Sequence, residues 1–241
     1  MPPILLIPGN MCDERLWQPV AERLAAEGHI VRFAPPLADK SISVMAAALA
    51  LAIEGPVVAV GFSMGAIVAT ELATRTPERV AALGLIAFNA SADLPERAAV
   101  RPRQQHDVLE GKLQAVVADE LKPNYLADEN RGDTGLLTTV MAMARALGPE
   151  TFVAQSEALR LRRDLRPALA DLGMPVLLAC GSEDRLCPPE WHRNWGALIG
   201  PNARFFEVPG AGHLLPLEKP HALADALIGW LAEEVQCQTV L

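Results

Sequence analysis

Residues 57–65 read VVAVGFSMG: a valine-rich run ends in Ser63, with Gly61 two places before it and Gly65 two places after. A serine hydroxyl is almost inert as a nucleophile at neutral pH and becomes one only when a base takes its proton. Its surroundings suit that use. The run before it has the character of a buried strand, and AIVATELAT (66–74) continues as a helix. A serine on so sharp a strand-to-helix turn is held in a strained backbone conformation. The two glycines leave room where a side chain would meet the neighbouring strand and helix. The turn lifts the hydroxyl above the sheet edge, and the N–H groups that open the helix favour an anion there.

The base must be a histidine, oriented by an acid. Of the five histidines, His29 starts a strand, His106 lies in a helical stretch, His192 sits inside EWHRNW and His221 opens the last helix. Those four read as ordinary structural or surface residues. Only His213, in VPGAGHLLPLEKP (208–220), sits in a glycine-rich loop just past a strand. For the acid, ACGSEDRLCPP (179–189) leaves another strand and offers Glu183 and Asp184. An acyl-transfer site also needs donors for the oxyanion, aimed before charge appears. In LIPGNM (6–11), Gly9 lets the chain turn so that the Asn10 N–H can point at a developing negative charge; the Met64 N–H, next after the serine, supplies a second donor.

These residues need a scaffold that brings strand ends to one edge. Strand-like runs at 4–8, 29–34, 56–62, 80–88, 175–181 and 203–209 alternate with helical stretches near 14–27, 41–53, 64–75, 188–199 and 219–235. Several of the runs are continuously apolar, as strands buried on both faces must be. That alternation predicts an α/β protein with a doubly wound, mostly parallel sheet, whose strands share a carboxyl edge. One interval breaks the rhythm. Residues 93–172 are rich in Ala, Leu, Glu and Arg at helical spacing, with breakers at Pro102, Pro123, Gly132, Gly148 and Pro149 and no convincing strand. They read as a helical cap inserted into a core formed by 1–92 and 173–241. Its Leu136, Leu137, Val140, Met141, Met143, Leu147 and Phe152 recur at helical spacing. They could line an acyl pocket, with Met141 and Phe152 as candidate substrate contacts, or pack on the core.

The totals narrow the function classes. A chain of 241 residues suits one large domain, and a net charge of −8 argues against nucleic acid or an anionic membrane surface as partner. Cys12, Cys180, Cys187 and Cys237 form no C-x-x-C pair, which fits reduced thiols in a cytoplasmic protein better than a disulfide framework or a zinc site. MPPILLIPG lacks the basic start and apolar length of a signal peptide, and VMAAALALAI (44–53) is too short to span a bilayer. With no H-E-x-x-H and no phosphate-loop lysine, no metal or organic cofactor is expected.

Four blocks together resemble the α/β-hydrolase family, in the manner of bacterial carboxylesterase-like members: LLIPGNMCDERLW (5–17), VGFSMGAIVA (60–69), LLACGSEDRLCPPE (177–190) and VPGAGHLLPLEKP (208–220). LRRDLRPALADLGMPV (161–176) resembles the segment leading into the acid's strand, so the likeness covers nearly the whole chain and is weakest over 93–160. The resemblance favours Asp184 over Glu183 as the acid, because Ser63, Asp184 and His213 then follow the family's chain order. It implies a serine hydrolase that cleaves a small, largely apolar ester through an acyl-enzyme. Lactonase, thioesterase, carbon–carbon bond hydrolase and perhydrolase chemistry use the same triad, and a non-catalytic ligand-binding protein can share the fold. Two departures stand out. Pro8-Gly9 replaces the usual His-Gly at the oxyanion turn, and the antiparallel strand pair that normally precedes the first block is missing. A six-stranded, all-parallel sheet with the strand near Ile30 at its edge is therefore expected.

Overall fold

The computed structural model describes residues 1–121 and 125–235. Six strands, β1 (Ile4–Ile7), β2 (Val31–Phe33), β3 (Val57–Phe62), β4 (Val80–Ile86), β5 (Val176–Gly181) and β6 (Ala203–Val208), form one sheet in the order β2-β1-β3-β4-β5-β6. Every pairing is parallel. The strand after Ile30 lies at one edge, as expected, and β2 is correspondingly more exposed than β1, β3 and β5, which are buried throughout.

Successive side chains of a strand point to opposite faces, so each apolar strand feeds two cores. Leu6, Val58, Val60 and Phe62 pack with helices α1 (Gln18–Ala26) and α7 (Pro220–Trp230) on one face. Ile7, Ala59, Leu85 and Leu178 pack on the other face with α2 (Ile42–Ala52), α3 (Met64–Arg75) and α6 (Pro189–Ile199). Helices on both faces make the sheet doubly wound.

Between β4 and β5 the described residues contain helices and loops and no strand: α4 (Pro95–Asp107), short helical turns over 108–121, and α5 (Thr134–Arg160). Val108, Val116, Leu126, Val140, Met143 and Phe152 join the first of the two cores. Of the expected breakers, Gly148 does break α5, with φ 78° and ψ 176°, and Pro149 restarts it. Pro102 does not break its helix: it lies inside α4, on an exposed side where the ring meets solvent. Pro123 lies outside the described residues, as does Cys237. Among the described residues no helix is long and apolar enough to cross a membrane.

Candidate active site

Ser63 sits between β3 and α3 with φ 52° and ψ −112°, a left-handed conformation that costs a non-glycine residue about 1–3 kcal/mol. Its neighbours make the turn possible. A Cβ on Gly61 would stand 2.3 Å from the Gly65 carbonyl oxygen, and one on Gly65 would stand 2.4 Å from the Ile7 carbonyl oxygen. Neither backbone atom can retreat, so α3 can approach the sheet this closely only with glycine at both places. The Ser63 N–H donates to the Ile86 oxygen at 2.8 Å, tying the turn to β4.

His213 and Asp184 lie on loops that leave β6 and β5 at the same sheet edge. His213 Nδ1 is 2.9 Å from Asp184 Oδ2, and His213 Nε2 is 3.1 Å from Ser63 Oγ. A carboxylate can only accept, so Nδ1 carries the proton and Nε2 is left to receive one from the serine. Asp184 is itself fixed: its Oδ1 accepts the N–H groups of Leu186 at 2.9 Å and Cys187 at 2.8 Å. Glu183, the competing acid of the sequence, turns away and accepts the Asp128 N–H at 2.9 Å. The imidazole is boxed by the Phe62 and Tyr125 rings, with centroids 5.2 and 5.8 Å away, and the His213 N–H donates to the Tyr125 oxygen at 2.7 Å.

The N–H groups of Asn10 and Met64 have no acceptor among the described residues, which leaves both as donors for a ligand. The Asn10 turn is held from the inserted helices. Gln155 of α5 is fully buried, and its Oε1 accepts the Met11 N–H at 2.8 Å and the Asn10 side-chain amide at 3.2 Å, while its Nε2 donates to the Leu37 oxygen. Met11 is thereby kept at φ 53°.

Ser63 opens on a cavity of about 250 Å³. Phe152 lines it, as the sequence suggests; Met141 does not, because its face of α5 packs against the hydrophobic core. The lining is less apolar than expected: Phe62, Ile67 and Leu159 are joined by Arg97, Arg101 and Arg162. Two thiols also reach it. Burial pushes Cys12 up to about 12 and, with Asp184 beside it, pushes Cys187 well above its ordinary value, which disfavours the reactive thiolate form of both. Cys187, Asp184 and His213 bring potential metal-ligand atoms within 4.8 Å of one another. Both carboxylate oxygens are already engaged by N–H donors, one of them by His213 Nδ1 itself, so the three do not present an open ligand set.

Sequence reasoning missed Gln155 and a second support, Glu218. Glu218 accepts the N–H groups of Gly212 at 3.0 Å and Ala127 at 2.8 Å and so clamps the histidine loop. It also missed the arginines, although Arg97 and Arg101, four apart on one helix, share a face.

A parallel, doubly wound sheet with a strained serine at a strand-to-helix turn, and with histidine and aspartate on neighbouring strand-end loops, defines a hydrolase class of α/β protein. Residues 4–226 match the alpha/beta hydrolase family, and the chain belongs to that family. RutD of Azorhizobium caulinodans, named as a carbamate hydrolase, is 28% identical over 248 residues, spanning 96% of this chain and 91% of that protein. The pimeloyl-[acyl-carrier protein] methyl ester esterase of Pectobacterium atrosepticum is 29% identical, over 94% of this chain and 93% of that protein. A thermophilic esterase from Thermogutta terrifontis, solved with malate bound, superposes with a TM-score of 0.86 at 27% identity, covering 97% of this chain and 90% of that one.

Proposed function

We propose that the protein is a carboxylesterase that works through a covalent acyl-enzyme on Ser63. The observation that carries this reading is the unbroken chain Ser63 Oγ, His213 Nε2, His213 Nδ1, Asp184 Oδ2, with separations of 3.1 and 2.9 Å at its two links. Ser63 Oγ attacks the ester carbonyl as its proton passes to His213 Nε2. The carbonyl electrons move onto oxygen, where the free N–H groups of Asn10 and Met64 receive the charge. Asp184 stabilises the imidazolium. The imidazolium then returns the proton to the departing alkoxide. Water, deprotonated by the same nitrogen, attacks the acyl-enzyme carbonyl, and Ser63 leaves with the proton. The pre-aimed donors supply much of the barrier reduction, each typically about 3 kcal/mol. Esterases stand among the relatives, beside a carbamate hydrolase, and support an ester as the acyl substrate.

A fluorophosphonate should label the wild-type protein once, and Ser63→Ala should take up none and hydrolyse no ester. Labelling of Ser63→Ala at full stoichiometry would refute the assignment of the nucleophile. A panel of esters, lactones, thioesters and carbamates run on the same two proteins identifies the bond that is cut.

A further inference from the structure

We infer that the substrate carries a carboxylate remote from its scissile carbonyl, and that Arg97 of α4 is the residue that binds it. The inference rests on the esterase reading for the bond that is cut, but not for the place where the anion sits.

The protein as a whole carries a net charge of −8, yet three arginines, Arg97, Arg101 and Arg162, line the cavity over Ser63. Their acidic partners do not match them in number. Asp93, whose side chain is 1% exposed, is shared: it accepts from Arg101 Nε at 2.6 Å and Nη2 at 3.2 Å, and from Arg162 Nη1 at 2.8 Å. Glu120, the acid that lines the cavity itself, is taken by Arg103 at 3.1 Å and by the Gln104 amide at 3.0 Å. Among the described residues that leaves Arg97 without a carboxylate. Its one hydrogen bond is from Nη2 to the Leu186 oxygen, a long 3.3 Å. A guanidinium has five N–H donors in a planar fork, and this one keeps most of them free at the cavity wall.

A second observation points the same way. Asn89, 5% exposed, follows β4 and lines the same cavity. Its Oδ1 accepts the Ser91 N–H at 2.9 Å, which fixes the orientation of the amide, and its buried Nδ2 finds no acceptor among the described residues. A buried donor left without a partner is costly, and such groups are few in folded proteins. The cavity thus presents two unmatched donors, one of them cationic, beside a pair of arginines that share a single carboxylate. A ligand in this cavity that carries negatively charged oxygens offers acceptors to such donors. The planar two-oxygen geometry of a carboxylate suits the guanidinium fork, and a cavity of about 250 Å³, at the small end for ligand sites, suits a short chain between that group and the ester. Arg97 is also anchored next to the chemistry: the peptide whose oxygen it holds is that of Leu186, whose N–H holds Asp184.

The test compares monoethyl succinate, glutarate and adipate with ethyl butanoate, pentanoate and hexanoate, matched in chain length. Wild type should favour at least one of the acids by about ten- to a hundredfold in kcat/KM, the range of a charge-assisted hydrogen bond, with the gain in KM. Arg97→Gln should bring that ratio close to one, and Arg97→Lys, which keeps the charge and loses the fork, should fall between. A turnover-free measurement accompanies it: calorimetric binding of monoethyl adipate to Ser63→Ala, with and without Arg97→Gln. Equal or better hydrolysis of the neutral esters by wild type, or an acid preference that survives in Arg97→Gln, overturns the inference and leaves the esterase reading standing. Arg97-dependent binding with no ester hydrolysed does the reverse. Absence of binding to Ser63→Ala overturns the anion site whatever turnover shows.

Discussion

Acidification should weaken this fold through one buried histidine. His192 of α6 is inaccessible to solvent; its Nε2 accepts the Phe88 N–H at 2.8 Å, and its Nδ1 faces the Pro188 oxygen at 3.2 Å. That pattern requires a neutral ring, with the proton on Nδ1. Burial pushes the group down from 6.5 to about 4, against a weaker opposing pull from Asp184. The folded state therefore binds the proton less readily than the unfolded chain. Stability is complete above about pH 6.5, falls as pH drops through the window between the two values, and stops changing below about pH 4. Integrated from pH 7.5 to pH 5, this one group removes about 2 kcal/mol, a large share of a typical folding free energy. His192→Gln is the informative variant, since a glutamine oxygen can accept the same N–H and does not titrate. Urea unfolding followed by tryptophan fluorescence at the two pH values should show wild type losing about 2 kcal/mol more than His192→Gln. Carboxylates contribute equally to both proteins and cancel. An equal loss in the two would refute the reasoning. The effect bears on the cavity, because Phe88 lies between Ala87, held at φ 52°, and Asn89, both of which line it.

Three further outcomes follow from the site. Asp184→Asn should lower kcat by about 10⁴, as in other triads, by presenting the wrong hydrogen-bond partner to His213 Nδ1, while Glu183→Gln stays within a few-fold of wild type; comparable losses in steady-state ester hydrolysis would mean that the acid is misassigned. Gln155→Leu orphans the Met11 N–H and frees the Asn10 turn, and should lower kcat by about tenfold to a hundredfold with a smaller change in KM; an effect confined to KM would rule out a role in positioning the turn. Phe152→Ala should shift the preferred acyl length in a series of aryl esters, by about 1–3 kcal/mol of discrimination per methylene, whereas Met141→Ala, which faces the core, should lower the melting temperature and leave the length preference in place.

What could be read from the sequence is what depends on neighbours in the chain. The elbow was legible because strand, serine, glycines and helix occupy one run of residues. The loops of Asp184 and His213 were legible because each follows an apolar run with glycine at its end. Pairings between distant segments were not. Gln155 meets Met11 across 144 positions and Arg162 meets Asp93 across 69, and neither partner carries a local mark. Met141 shows the limit of periodicity. A helical apolar stripe tells that a face is buried, but not whether it meets the core or a cavity, and the break at Gly148 takes Met141 and Phe152 out of a common helical register. Pro102 shows a limit of breaker rules, since α4 tolerates the ring on its exposed side.

The inserted helices are expected to choose the substrate while the sheet loops do the chemistry, but the contacts do not divide that way. α5 reaches the oxyanion turn through Gln155. The Tyr125 carbonyl receives the N–H groups of both His213 and Leu214, and its ring packs on the imidazole. Ala127 and Asn130 are tied by Glu218 to the histidine loop, and Asp128 is tied to Glu183 and Arg185 on the aspartate loop. Arg97 of α4 holds the Leu186 oxygen on that same loop. The Asn10 turn and the loops of Asp184 and His213 are thus each held on the far side by the segment between β4 and β5. A rearrangement of that segment on ligand binding would move the Asn10 turn, the imidazole and the aspartate loop together, so Arg97 and Ser63, which line one cavity, are also mechanically linked. Selectivity and rate are then properties of one packed unit, and a substitution that only reshapes the cavity must leave Gln155, Tyr125 and the Glu218 contacts intact to be read as a change in specificity alone.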